Sequence, residues 1–432
     1  MKFRYGTIWV LGFGLLGISL LWSIYNAYVP IFLQAGRSDF SAGAGVRGFG
    51  LGTGITGFIM TLDNLAALLI LPYVGALSDR TRTRWGRRRP FILIGAPIAA
   101  VAFAAIPYTL GLALPLFMTA ILFTLLAMDI FRTPVIALMP DLTPPAYRSP
   151  ANGIINVMGG VGGVLALMGG GWLFRQSPAA PFLFGALGML VASLVVVAVV
   201  REPAQPEIAE EAPGILSSLL AVLHDRDRFA LLLLGAIFCW FLGYSAIEVF
   251  FTSFAINVLG LNSGQATMLL AWFSLSILVG AIPAGFLGAR FGRRQAILVG
   301  LLLFAVLLAS GYALHAVSLV RGMLILTGLA WSLVVVNSLP MILDCAPPNR
   351  DGAYTGLYYL ASQLAAVVGP VMAGQVLALA GNNYRVLFLY APLTVALALV
   401  LMLGVRRGEH VRSESDQAKP SLPAAPNDQG QR

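Results

Sequence analysis

The chain has 432 residues, of which 58% are hydrophobic and only 10% charged, and its formal net charge is +9. A soluble domain carries roughly 25% charged residues, so this composition, with a mean hydropathy of +0.85, excludes one and points to a polytopic membrane protein. The basic excess does not mark a nucleic-acid surface, because the arginines fall in short stretches between apolar runs; anionic lipid and membrane orientation account for them.

A span needs about 20 apolar residues. Runs bounded by Gly, Pro and charge place twelve spanning helices at 8–33, 53–78, 91–109, 115–139, 151–173, 182–200, 229–257, 267–289, 295–314, 319–343, 353–380 and 385–405. The first is too long for a signal-peptide core and carries Tyr25, Asn26 and Pro30, so it reads as a retained helix. With this count Lys2, Arg4, the arginines from Arg80 to Arg89, Arg148, Arg226, Arg228, Arg290, Arg293, Arg294, Arg350, Arg406 and Arg407 share one side. Cytoplasmic loops hold such an excess, which puts both termini of a cell-membrane protein in the cytoplasm. Residues 1–200 then form one six-helix half and 229–407 another. Between them, 201–228 reads as a cytoplasmic linker with prolines, an acidic run at Glu207, Glu210 and Glu211, and a short interfacial helix. The polar tail 408–432 reads as disordered.

The stretch that organises the chain is GALSDRTRTRWGRRRPFILIG, from Gly75, where an apolar run meets six arginines. Arginine at the bilayer centre costs on the order of 3 kcal/mol, so the cluster must lie in water or headgroups between two spans. A shorter version, GFLGARFGRRQAILVG, follows from Gly285, and the stretch Asp141 to Arg148 returns as Asp344 to Arg350. Both repeats are displaced by a little over two hundred residues, which argues for two halves of one topology. Within the loop, Asp79 can pair with Arg87 or Arg88 and approach the N-terminus of the eleventh helix. Arg84, Asp141 and Arg148 join it as a candidate cytoplasmic gate.

The duplicated halves, the linker and the Asp-Arg to Gly-Arg-Arg loop resemble the major facilitator superfamily. The strings MTLDNLAALLILPYVGALSDRTRTRWGRRRPFILIG, ALMPDLTPPAYRSPANGIINVMGG and YNAYVP resemble the proton-coupled sucrose and maltose transporters, within or beside the glycoside-pentoside-hexuronide group. The resemblance implies an all-α fold of twelve transmembrane helices in two pseudo-symmetric halves. It also implies a monomeric carrier that moves a disaccharide with a proton. A major facilitator exporter or exchanger of another small amphipathic solute stays open as an alternative.

Charges inside the spans are few: Asp63 on the second, Asp129 and Arg132 on the fourth, and Glu248 on the seventh. An ionisable group there is costly unless protonated, paired or facing a wet cavity, and is by default a functional candidate. Asp129 and Arg132, at i and i+3, can touch on one helix face; the pair and the other two acids are assigned to proton coupling. In melibiose-type relatives the second helix supplies a sodium site from two acids one turn apart. Here Asn64 and aliphatic residues follow Asp63, which favours protons.

A sugar needs hydrogen-bonding groups and an aromatic face. Candidates are Tyr25, Asn26, Tyr28, Asn64, Asn152, Asn156, Tyr244, Asn337, Tyr358 and Gln363, with Trp272 on the eighth span, Trp331 on the tenth and Tyr359 on the eleventh also suitable. No cofactor or metal is expected, because the two cysteines and three histidines are scattered. The glycine-rich fifth segment lacks the lysine of a nucleotide loop.

Overall fold

The computed structural model describes residues 5–143, 147–200, 202, 228–346 and 351–405. Among the described residues, twelve helices are long and apolar enough to cross a membrane. They are α1 Tyr5–Gln34, α2 Thr53–Arg80, α3 Arg89–Ala105, α4 Leu114–Leu142, α5 Arg148–Leu173, α6 Ala180–Val199, α7 Phe229–Asn257, α8 Ser263–Phe291, α9 Arg293–Ser310, α10 Val317–Asp344, α11 Asp351–Leu379 and α12 Leu387–Gly404. Only a helix or a closed barrel satisfies its own backbone in hydrocarbon, so each long apolar run resolves as a helix. The linker's acidic run and short helix, the tail, Arg350 and the side chain of Arg148 lie outside the described residues.

One span departs from expectation. The run at 53–78 is not continuous but splits into Thr53–Ile59 and Leu62–Arg80. Thr61 ends the first piece by donating its hydroxyl to the Phe58 carbonyl at 2.8 Å. The break lies beside Gly54 and Gly57, whose missing side chains let α2 press on α11: a Cβ at Gly57 would strike the Pro370 carbonyl, and one at Gly374 the Thr53 carbonyl. The second piece begins with Asp63 in its first turn, where the helix dipole favours an anion.

The packing repeats with a shift of six helices. In the first half α1 packs on α5 and α6, α2 on α4, and α3 on α4 and α6; in the second α7 packs on α11 and α12, α8 on α10, and α9 on α10 and α12. The halves meet through α1 with α7, α2 with α11, and α5 with α8, the last two being equivalent under the same shift.

The hydrogen bonds joining described residues of the two halves begin at Asn26 with Glu248 and Asn64 with Gln363, and otherwise lie farther from the arginine loop. Nearer the loop the inner faces are uncovered. Gly160 of α5 meets Leu278 of α8, but Asn156, one turn closer to the loop on that face, is exposed. Gln363 reaches Asn64, yet Tyr359 one turn below is 51% exposed and Leu68, one turn below Asn64, is 54% exposed. The halves are thus closed at the end remote from the arginine loop and part toward it.

The glycine contact that closes α2 on α11 is sensitive to volume. Gly57→Leu places a side chain against the fixed Pro370 carbonyl and is expected to cost about 1–3 kcal/mol. A lower melting temperature in detergent than that of the exposed-face control Ile55→Leu checks this; equal melting temperatures would remove the contact from the account.

Candidate functional site

At the arginine loop, four side chains form one ion cluster inside the first half. Arg88 pairs with Asp79 at 2.5 Å and with Asp141 at 3.1 Å, while Arg87 pairs with Asp141 at 2.6 Å and with Asp79 at 3.6 Å. Arg88 is only 4% exposed and also bonds the Ser78 hydroxyl. Arg84 stands apart, its guanidinium 4.9 Å over the Trp85 ring, so the expected gate set loses it to a solvent-facing cation–π contact. In the second half Asp344 bonds Arg293. That pairing joins the two repeated motifs of one half.

The sequence reading missed Glu202. Its carboxylate accepts the backbone N–H groups of Arg87, Arg88 and Arg89 at 2.7, 3.0 and 2.8 Å. These are the free donors at the start of α3, where an anion is favoured. An acid directly after the sixth apolar run was the available signal.

At mid-depth the intramembrane charges converge. Asp63 lies within electrostatic reach of Arg132, Glu248 and Asp129, and also of Tyr25. The break in α2 orients Asp63, and Asn64 donates to its Oδ1 at 2.9 Å. Asp129 is 2% exposed. The expected contact pair between Asp129 and Arg132 is not formed: Asp129 Oδ2 and Arg132 Nε are both buried without a hydrogen-bond partner, and the two charges interact only at longer range. Glu248, from the other half, accepts the Asn26 amide at 3.1 Å. Tyr25 is fully buried and its hydroxyl has no partner; Trp22 meets its ring edge-on at 5.4 Å.

The structure separates the other candidates. Gln363 reaches Asn64 across the halves at 3.5 Å, and Tyr244 stacks on Trp331 at 4.9 Å. Asn156 donates to the Asn152 carbonyl at 2.8 Å and lines the opening near the loop. Three candidates are turned into packing instead. Asn337, 3% exposed, donates to the Ala284 and Leu333 carbonyls at 3.1 and 2.9 Å. Tyr28 stacks on Phe174 at 4.9 Å inside an aromatic cluster, and Tyr358 bonds Ser338 at 3.0 Å. A buried amide or hydroxyl takes a nearby backbone or side-chain partner, as Asn337 and Tyr358 do within their own half, whereas Tyr28 is held by ring packing.

The remote end is closed by a network that the sequence did not disclose. The Gln34 amide donates to Ser253 at 3.0 Å and accepts from the Tyr384 hydroxyl at 2.5 Å, and Arg37 donates to Tyr384 at 3.1 Å. Asp39 bonds Arg37 and accepts from Asn382 at 3.0 Å. Thr53 adds bonds to Gly374 and Asn382, both at 3.0 Å. Burial works against the Asp39 anion, but the bond and charge of Arg37, with the Asn382 amide, outweigh it and hold the carboxyl below its usual value.

Two packed halves that part toward one end, with acids at the apex of the opening, define a protein of the major facilitator fold. The chain belongs to the MFS/sugar transport protein family, whose model matches residues 10–386. It is 28% identical over 145 residues to the sucrose transport protein SUC3 of Arabidopsis thaliana, covering 29% of this chain and 24% of that protein. It is 24% identical over 277 residues to the isoprimeverose transporter of Lactiplantibacillus pentosus, covering 59% of this chain and 56% of that protein. The matched stretches therefore span about a quarter and somewhat over half of those relatives. Among solved structures, a bacterial homologue of the human lysosomal transporter Spinster, inward-facing and occupied, superimposes with a TM-score of 0.69 at 15% identity, covering 94% of this chain and 97% of that one.

Tyr384→Phe removes the hydroxyl shared by Gln34 and Arg37 and is expected to weaken closure by about 1–3 kcal/mol. Faster thiol labelling of Ser41→Cys, in a background lacking Cys239 and Cys345, checks this. The depressed Asp39 contributes fully above the ordinary carboxylate value near 4, and that contribution is lost only as pH falls through its still lower folded value. Because the thiolate is the reacting form, the rate is taken relative to an exposed reference cysteine at each pH; that ratio is expected to be flat from about pH 5 upward and to rise in stronger acid, and a rise between neutral pH and 5 would contradict the assignment.

Proposed function

We propose that the protein is a secondary active transporter that carries a sucrose- or maltose-like disaccharide together with a proton by alternating access. In this reading it acts as a monomer in the cell membrane, with the arginine loop and both termini on the cytoplasmic side. Residues 1–200 and 229–407 rock against each other around a fixed central site.

The observation that carries the reading is the convergence of Asp63 and Asp129 on one guanidinium, Arg132, with the third carboxyl, Glu248, within electrostatic reach of Asp63. One guanidinium cannot neutralise three carboxyls, and in a low-dielectric site uptake of a proton relieves the excess. Asp129 and Arg132 share a helix face without closing on each other. Protonation of Asp129 therefore weakens the remaining attraction and leaves Arg132 free to donate to a cargo hydroxyl. The half-buried amides of Asn64 and Gln363, one from each half, supply further donors and acceptors at the same depth. The relatives named for sucrose and isoprimeverose support a sugar as the cargo.

The arginine-loop cluster fits the role of a cytoplasmic gate in its open form. Its ion pairs run within the first half, so no described pair between the halves resists parting there. At the remote end the bonds run between the halves and must break for the carrier to face outward.

One observation favours a second reading. The unpartnered Arg132 Nε would also suit a small solute bearing a carboxylate, moved by export or exchange.

Uptake into proteoliposomes tests both readings. Labelled sucrose, maltose, lactose and gluconate are offered with and without an imposed pH gradient. Accumulation of a disaccharide driven by an inward proton gradient is expected, and Asp129→Asn is expected to lose accumulation while retaining exchange. Gradient-independent sugar movement, or uptake of gluconate alone, would defeat the symport reading.

A further inference from the structure

A partly enclosed cavity of about 90 Å³ lies between the halves at the level of the charged cluster, with Glu248 in its wall. Ser23 and Asn26 of α1 form one wall, and Tyr244 and Glu248 of α7 with Phe273 and Ser274 of α8 form the other. A water needs only about 10–15 Å³ of such space, so the cavity holds several waters or one hydroxylated end of a larger solute. It does not hold a whole disaccharide.

The wall chemistry is specific. Glu248 Oε1 accepts the Asn26 amide at 3.1 Å, while among the described residues Oε2 has no partner. The hydroxyls of Ser23 and Ser274 likewise have no partner among the described residues, although both line the cavity. Tyr244 stands one helical turn from Glu248 on the same face of α7. Its ring is fixed by stacking on Trp331 at 4.9 Å with planes 5° apart, and the Phe273 ring lies 6.2 Å away. A rigid aromatic wall beside a carboxylate oxygen and two open hydroxyls matches a pyranose end, which has an apolar face and vicinal hydroxyl groups.

We propose that this cavity is the blind-end subsite for one hydroxyl-bearing ring of the cargo. In it, Glu248 accepts hydrogen bonds from adjacent sugar hydroxyls and so reads the cargo rather than carrying the coupled proton. The proposal rests on the sugar-transport reading and divides its acids. Asp63, Asp129 and Arg132, all on the first half, remain with the proton, while Glu248 on the second half holds the sugar. Glu248 is well suited to this division because its charge is already engaged by a neutral amide from the opposite half. An occupant of the cavity touches both halves at once. Binding there is therefore coupled to their relative position, and in an empty site the Asn26 amide on Glu248 is the bond that joins the two walls directly.

The test compares wild type with Glu248→Gln, and with Ser274→Ala as a milder variant, in proteoliposomes given labelled sucrose and maltose. Glu248→Gln keeps the shape but replaces one acceptor oxygen by a donor. The half-saturating concentration of the transported sugar is expected to rise about 10- to 100-fold, the loss associated with a hydrogen bond to a charged group. The remaining transport at saturating sugar should still follow the pH gradient. Ser274→Ala should raise half-saturation by about two- to tenfold with coupling intact, and it decides the matter if the glutamine variant does not fold. A half-saturation within twofold of wild type for the variants that fold, or loss of gradient-driven accumulation with sugar affinity retained, would overturn the assignment and return Glu248 to the proton path. Failure of wild type to move any sugar would instead defeat the transport reading itself, so the two failures are separable.

Discussion

An ionisable side chain inside a lipid-spanning helix is costly unless it is wet, paired or neutral, and that constraint governs this protein. Asp63, Asp129, Arg132 and Glu248 sit in helices that are otherwise almost wholly apolar, and the fold brings all four to one level between its halves. The break in α2 places Asp63 in the first turn of a helix, the parting of the halves uncovers inner faces toward the arginine loop, and Asn26 reaches across to Glu248. Each of these features makes buried charge tolerable, and together they confine it to the apex of an opening.

The two ends of the molecule hold themselves together differently. Near the arginine loop the strong ion pairs join segments of the same half: Asp79 and Asp141 to Arg87 and Arg88, and Asp344 to Arg293. At the remote end the bonds of Gln34, Arg37, Asp39 and Thr53 cross to Ser253, Tyr384, Asn382 and Gly374. Rigid halves with a breakable seam are what a rocking motion requires. The close glycine contacts at Gly57, Gly171, Gly264 and Gly374 let backbones meet at that seam without interlocking side chains.

Much of the architecture could be read from the chain, because hydropathy and the repeated arginine motif are long-range, composition-level signals. The twelve spans, the repeat and the presence of a few charged residues inside the spans follow from them. The break at Met60 and Thr61 was not legible; it lies next to the contact of α2 with the Pro370 backbone of α11, more than 300 residues away, which no local pattern discloses. The remote-end network was hidden for the same reason: Gln34 and Tyr384 look like ordinary end-of-helix residues until they are brought together. Sequence could name Asn337, Tyr28 and Tyr358 as polar groups inside spans, but not whether they face the opening or a neighbouring helix. Periodicity gave little help, because these helices are apolar nearly all round. Glu202 was overlooked because its partners are backbone amides, which leave no trace in residue identity.

The central claim is that the mid-membrane acids exchange a proton in step with cargo. Its most direct measurement is proton movement on addition of the transported sugar to purified protein in weakly buffered detergent, followed with a pH indicator across about pH 6 to 9. The account predicts saturable proton uptake in part of that range, lost when Asp63 and Asp129 are both replaced by asparagine. Saturable sugar binding with no proton exchanged at any pH would contradict it.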